Sequence, residues 1–145
     1  GKRVIYAGAV DGVASKPLNV EGVALAAIAP GTVVDQVPTG IQANAKAATV
    51  FGSLFLVADK DQMRSKSVDD AWTISENMVA MQPRSGEFYN VLVVTAQALV
   101  QGTAMTRNAT GQLLIAATDG TVDILCYSDE TVTTSATQLV RVRIA

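Results

Sequence analysis

The C-terminal residues Gln138–Ile144 restrict the possible folds most strongly, because their side chains alternate with a period of two. Val140, Val142 and Ile144 would face one side of an extended strand, while Leu139 and the two arginines between these residues would face the other. This pattern is typical of a strand with one buried face. The arginines would then be solvated on the outer face or would contact a partner.

The composition agrees with a β-rich fold. The chain has 145 residues, of which 20 are Val and 14 are Thr. Both types favour strands, since their branched Cβ packs well on a pleated surface. With 49% hydrophobic and 17% charged residues, the chain is expected to be folded rather than disordered. We therefore predict a mainly β fold with little helix, in a single domain.

The first 25 residues differ from the rest. Their short apolar pieces are interrupted by Gly8, Gly12, Pro17 and Gly22, which disfavours a helix. We predict an extended N-terminal arm over residues 1–25, followed by a β-rich binding domain over residues 26–145. Such an arm would pair with a neighbour's sheet edge during assembly rather than belong to the core.

The remaining chain is predicted to consist of strands and turns. The predicted strands are Val50–Ala58, Ala71–Ile74, Asn77–Met81, Phe88–Ala96, Leu99–Met105, Gln112–Ala116 and Val122–Tyr127. Turns are expected at Pro30-Gly31 and at Asn108–Gly111, and Asp119-Gly120 predicts a hairpin. Residues Thr39–Thr49 could form either a loop or a single helical turn.

The residue types exclude several kinds of catalytic site. The chain has no His, which removes Ser-His-Asp and Cys-His arrangements and any His-ligated metal. The lone Cys126 lies in a predicted strand and is expected to be buried and inert. The acidic residues Asp59, Asp61, Asp69, Asp70, Glu76 and Glu87 do not follow a calcium-loop pattern. We predict no catalytic, cofactor-binding or metal site, and no enzyme activity.

The charges and apolar runs limit the possible partners. The formal net charge is −2 and no basic stripe occurs, so nucleic acid is not an expected partner. No apolar run is long enough to span a membrane, and no signal peptide is evident, so we expect a protein made and used without export by a standard signal, with no membrane partner. Seven of the twelve residues in Asp59–Asp70 are charged, with both signs present. This segment is expected to be a solvated loop or a polar contact with a partner.

The second half of the chain resembles a known family. Its short motifs follow one another in a fixed order: Trp72–Ile74, Met78–Met81, Gly86–Val93, Gly102–Met105, Thr110–Ala116, Asp119-Gly120, Ser128–Thr131 and Leu139–Ile144. In this order they resemble the head decoration, or cement, proteins of tailed bacteriophages. The resemblance covers residues 72–144, and residues 1–25 and 59–70 lie outside it.

The resemblance implies a single small β-barrel or β-tulip-like domain that is made in the host cytoplasm and lies on the outer capsid surface of a virion. The protein would bind the lattice of the major capsid protein as a homo-oligomer, a dimer or a trimer, and stabilise the assembled capsid. An alternative is a carbohydrate-binding or adhesin-like β module on a virion fibre or cell surface. Sugar platforms generally present exposed aromatic side chains, and the chain has Trp72 as its single Trp.

Overall fold

The computed structural model describes residues 2–8 and 17–145, and all of the regular structure there is β. The strands are β1 Tyr6–Gly8, β2 Leu18–Val23, β3 Val33–Val37, β4 Gly40–Ala43, β5 Leu56–Ala58, β6 Asn77–Gln82, β7 Phe88–Val93, β8 Ala98–Leu99, β9 Ala104–Arg107, β10 Leu113–Ile115, β11 Cys126–Ser128, β12 Val132–Thr133 and β13 Gln138–Ile144. The prediction of a mainly β fold is confirmed. These residues include no helix able to cross a membrane.

Five strands close into a barrel with the order β7-β10-β9-β11-β13. The barrel closes where β13 pairs with β7, from Gln138 opposite Val93 to Arg143 opposite Phe88. The β7–β10 pair is parallel and the other pairs are antiparallel. β1 pairs with the beginning of β7. The predicted β-barrel is thus present, and its closure satisfies the backbone groups that an open sheet would leave at its edges.

A second, antiparallel sheet has the order β2-β6-β5-β3-β4. It curls, because the chain directly after β2 returns to β4. Ala24 forms a parallel bridge with Ile41, and the Leu25 N–H donates to the Ile41 carbonyl at 2.9 Å. Strands β8 and β12 form a separate two-stranded ribbon.

The second sheet has two buried faces, which explains its short, unbroken apolar runs. Val33 pairs with Val57, and both belong to the core that fills the barrel. The next pair, Val34 and Leu56, belongs to a second core inside the curl. Successive residues of one strand therefore serve two cores, because their side chains point to opposite faces. The barrel core continues into the second sheet.

Several local predictions are confirmed. β13 has the bounds that the alternation predicted, and Val140, Val142 and Ile144 form its buried face. The turn at Asn108–Gly111 joins β9 to β10, which pair as antiparallel neighbours. β3 follows the turn at Pro30-Gly31.

The hairpin predicted at Asp119-Gly120 is wrong. The flanking strands β10 and β11 do not pair with each other, because they lie on opposite sides of β9 and both pair with it. A two-residue hairpin turn requires its flanking strands to be direct neighbours. Asp119 closes a local turn instead, in which its Oδ1 accepts from the Thr121 N–H at 3.1 Å and the hydroxyl at 2.5 Å.

Other predicted strands are shorter than expected. Of Val50–Ala58 only the last three residues form a strand, and Ala71–Ile74 contributes only a bridge between Trp72 and Ile28. Leu99–Met105 is divided by a turn at Gly102 into β8 and β9, and Val122–Tyr127 becomes a strand only at Cys126. Thr39–Thr49, which the sequence left open, contains β4 followed by a loop.

The predicted arm falls partly on residues 1 and 9–16, which lie outside the described residues. The rest of it is extended but belongs to the packed structure. β2 pairs with β6 along its whole length, and Ala24 lies in the second core. Ile5 is 1% exposed and lies in the barrel core. The expected boundary at residue 25 therefore falls within the curl of the second sheet, because the apolar residues between the glycines find partners in the same chain.

Candidate interaction surface

Residues 2–5 connect the barrel with the charged loop of the second sheet. The Lys2 ammonium lies 2.6 Å from Glu130 Oε1, in the turn after β11. The Arg3 carbonyl accepts from Lys60 Nζ at 2.9 Å. Asn90 of β7 fixes the next two residues, because its backbone N–H and side-chain Nδ2 donate to the carbonyls of residues 5 and 4, each at 2.7 Å. This anchored segment forms one wall of the surface described below.

Three of the four carboxylates of the loop Asp59–Asp70 are held by the loop itself. Asp59 accepts from the Lys60 N–H and from Gln62 Nε2, both at 2.8 Å. Asp61 accepts from the Arg64 N–H at 3.3 Å, and both Asp59 and Asp61 are only 6% exposed. Asp70 accepts from the backbone N–H and the hydroxyl of Ser67. These acids therefore stabilise the loop conformation and neutralise little of the surface.

The pKa shifts reflect these different surroundings. Burial raises the pKa of Asp59, although its hydrogen bonds and the nearby Lys60 oppose that shift. The hydrogen bonds from the Ser67 backbone and side chain lower the pKa of Asp70.

Four cationic side chains line one hollow beside the N-terminal segment. This basic hollow has a volume of about 470 Å³, and its lining includes Lys2, Arg3, Lys60, Lys66 and the single carboxylate Asp69. It gathers four of the chain's 11 lysines and arginines, although the net charge of the chain is −2. The charged loop has mixed signs in sequence, but its spatial arrangement separates them. The result is a locally positive concave surface.

An apolar groove adjoins the basic hollow. The groove has a volume of about 770 Å³ and is lined by β7, β12 and β13 and by the loops before β3 and after β5. Its apolar lining includes Ala29, Pro30, Leu92, Val132 and Leu139, and its polar lining includes Glu130, Thr137 and Gln138. Lys2, Val68 and Asp69 line both the hollow and the groove. The surface is therefore polar and positive at one end and of mixed polar and apolar character at the other.

Glu130 fixes the border between the groove and the N-terminal segment. Its carboxylate accepts from Lys2 Nζ at 2.6 Å and from the Arg141 N–H at 2.7 Å. Burial alone would raise its pKa, but these two hydrogen bonds and the two positive charges outweigh burial and place the pKa below its ordinary value. Arg141 Nε lies 2.7 Å from Asp129 Oδ2, so this arginine is engaged within the chain.

The residues considered for chemistry do not converge on one site. Glu76 pairs with Arg64, and the buried Glu87 pairs with Arg84 and accepts from the Tyr89 hydroxyl. Cys126 is fully buried, which raises the pKa of its thiol. Across residues 2–8 and 17–145, no group of three or more His, Cys, Asp or Glu side chains could hold a metal ion. No described arrangement suggests a catalytic centre.

The basic hollow was not predicted from the sequence. Lys60 and the Arg3 carbonyl that it contacts are 57 positions apart. No local pattern joins these residues, and the acids between the lysines conceal the positive character of the loop. From the sequence, the residues around Pro30 predicted only a turn and not a groove.

Neither a protein-family model nor a curated protein sequence matches the chain. The resemblance of residues 72–144 to phage decoration proteins therefore depends on the order of short motifs.

Proposed function

We propose that the protein is a structural virion protein that binds the outer surface of an assembled tailed-phage capsid and stabilises it. It would bind the lattice of the major capsid protein as a homo-oligomer, a dimer or a trimer, and would have no catalytic role. In this role the protein acts by assembly, and its β domain presents a shaped surface to its partners.

One observation carries this proposal: most motifs of the resemblance fall on the strands and turns of the closed barrel. Residues 72–144 contain β6 and every strand of the closed barrel. Gly86, Gly102 and Gly111 of these motifs have φ values of 84°, 94° and 91°, a left-handed conformation that glycine adopts without steric cost. In the Ser128–Thr131 motif, Glu130 accepts from the backbone of the closing strand. The motifs thus specify turns and pairings of a fold, as expected for a family without an active site.

The carbohydrate-binding alternative loses its main candidate residue. Trp72 is 4% exposed, and its Nε1 donates to the Asp59 carbonyl at 2.7 Å. A buried indole with its donor already engaged cannot stack on a sugar ring. The alternative would therefore have to rely on a smaller aromatic side chain such as Phe51, which is 56% exposed.

The test compares binding to assembled and unassembled capsid protein. Purified protein is mixed with expanded empty heads of the phage that encodes it and, separately, with the unassembled capsid protein. We expect far tighter binding to heads, because an oligomer that touches several neighbouring subunits makes its later contacts at high effective concentration. Saturated heads should also melt at higher temperature, since a ligand of the assembled state stabilises that state.

Two results would contradict the proposal: equal affinity for both forms, or heads that are no harder to disrupt when saturated. Binding to a glycan array without binding to heads would favour the adhesin-like alternative. Light scattering during size-exclusion chromatography measures the expected dimer or trimer independently.

A further inference from the structure

The basic hollow retains uncompensated positive charge. Lys2 is paired with Glu130, and Lys60 donates to a carbonyl rather than to a carboxylate. The side chains of Arg3 and Lys66 make no hydrogen bond or salt bridge with another described residue. Asp70 is close enough to Lys66 for a Coulombic interaction, but its Oδ2 is already bound to Ser67. The hollow therefore attracts negative charge.

The apolar groove restricts what kind of anion fits. A free oxyanion would occupy only the hollow and leave the groove beside it, of about 770 Å³, unused. A long polyanion such as nucleic acid would need a basic track, whereas the chain has a net charge of −2. A peptide segment can place carboxylates in the hollow and apolar side chains in the groove. Charge complementarity and the adjoining apolar lining thus favour the same class of ligand.

We infer that the basic hollow and the apolar groove together bind an extended acidic segment of the partner protein. One or two carboxylates of the segment lie against Arg3 and Lys66, and the apolar residues that follow lie between Pro30 and Leu139. This inference deepens the proposed function, because the partner is the lattice protein. Each such contact is weak, as is usual for partly exposed charge pairs. Several contacts to neighbouring lattice subunits together give a higher overall affinity.

The probe is a pair of fluorescent, end-capped nine-residue peptides. One carries two aspartates followed by Val and Leu, and the other has asparagines in place of the aspartates. The protein variants are R3Q/K66Q and, as a control, K46Q/R143Q, which loses the same two charges at exposed positions outside the hollow. Urea denaturation checks that all proteins are folded, and fluorescence anisotropy measures binding.

We expect the wild-type protein and the control variant to bind the aspartate peptide alike. R3Q/K66Q should bind it about fivefold to tenfold more weakly, as the loss of two partly exposed charge contacts implies. The asparagine peptide should bind weakly to all three proteins, and added salt should weaken the aspartate peptide through screening. Equal binding of both peptides, or an equal loss in both variants, would overturn the inference.

Two further arms separate the possible failures. Inorganic phosphate, compared with sodium chloride at the same ionic strength, should not displace the peptide. Complete displacement would make the hollow a general oxyanion site and refute the peptide assignment.

On empty heads, R3Q/K66Q should bind more weakly than K46Q/R143Q. If the wild type binds heads and both variants bind equally well, the peptide inference fails and the capsid proposal stands. If the wild type binds the peptide but not heads, the capsid proposal fails and the inference holds.

Discussion

Gly111 lies at the junction of the two sheets, and replacing it by alanine should weaken that junction. The residue ends the turn between β9 and β10, and its carbonyl accepts from the Val33 N–H of β3 at 2.8 Å. A Cβ at Gly111 would lie 2.7 Å from Thr32 Cγ2 and 2.8 Å from the Val33 carbonyl oxygen. Both distances are shorter than real Cβ contacts, and one of the two neighbours is backbone.

Two energetic costs add in the Gly111→Ala variant. The φ of 91° is a left-handed conformation, which costs a residue with a Cβ about 1–2 kcal/mol. The overlap with β3 adds about 1–3 kcal/mol, the usual cost of overpacking a well-packed site. We therefore expect a loss of about 2–5 kcal/mol in the free energy of unfolding. That is a large part of the roughly 5–15 kcal/mol available to a typical domain.

Gly102 supplies the matched control. Its φ of 94° is nearly the same, but nothing lies within 4 Å of a Cβ built there. Gly102→Ala should cost only the conformational part, about 1–2 kcal/mol. Urea unfolding followed by far-ultraviolet circular dichroism and by the fluorescence of Trp72 gives both values. The fluorescence reports on the core of the second sheet, because Trp72 is the only Trp and lies there.

Equal destabilisation by the two substitutions would refute the reasoning, because it would mean that β3 moves aside at no cost. The two probes also test whether the sheets unfold together. Since the barrel core includes Val33 and Val57 of the second sheet, we expect both signals to change at the same urea concentration.

Three further predictions concern buried and partly buried polar groups. The Arg107 side chain is fully buried and lies 3.9 Å from Asp123. In urea unfolding, Arg107→Met should lower the free energy of unfolding by less than about 1 kcal/mol or increase it, because it removes a buried charge. Asp123→Asn should lower it by about 1–2 kcal/mol, because the buried arginine then loses its partner. Because the pKa of Glu130 is lowered in the folded protein, its carboxylate stabilises the fold at pH values above the ordinary glutamate pKa. This stabilisation is lost as the pH falls through the folded-state pKa, so the melting temperature of Glu130→Gln should decrease less on acidification than that of the wild type. Cys126 is 0% exposed, so it should react with a thiol reagent only as fast as the protein opens, and rapid labelling of the folded protein would contradict its position in the core.

The parts of the fold that were predictable from sequence depend on one strand at a time. The alternation in β13 predicted both its bounds and its buried face, because the pattern depends only on which side of that strand is covered. The Asp119-Gly120 hairpin was wrong because the pairing of strands depends on the whole barrel. β9 takes β10 on one side and β11 on the other, and nothing in the dipeptide specifies this arrangement.

The candidate surface was unpredictable for a different reason. The sequence gives the charge of each side chain but not where that charge is neutralised. In Asp59–Asp70, three of the four acids accept hydrogen bonds from nearby backbone and side-chain groups, as Asp70 does from the Ser67 N–H at 2.9 Å. Lys60 instead donates to the Arg3 carbonyl of the N-terminal segment, and Lys66 lines the same hollow. A mixed-charge loop therefore acquires a positive face only after folding.

The N-terminal segment contributes to both the barrel core and the basic hollow within a few residues. Ile5 contributes to the barrel core, and the Tyr6 ring packs against Tyr89 with centroids 5.3 Å apart. Immediately before them, Lys2 and Arg3 line the basic hollow. An arm that only linked subunits could move freely, whereas this segment is anchored by Asn90 and must keep a fixed position relative to Lys60. An anchored backbone loses less entropy when its side chains bind an anionic partner, because its position is set before binding. Under the proposed capsid function, the anchoring of residue 5 in the core would suit the surface at residues 2 and 3 to repeated weak contacts on a lattice.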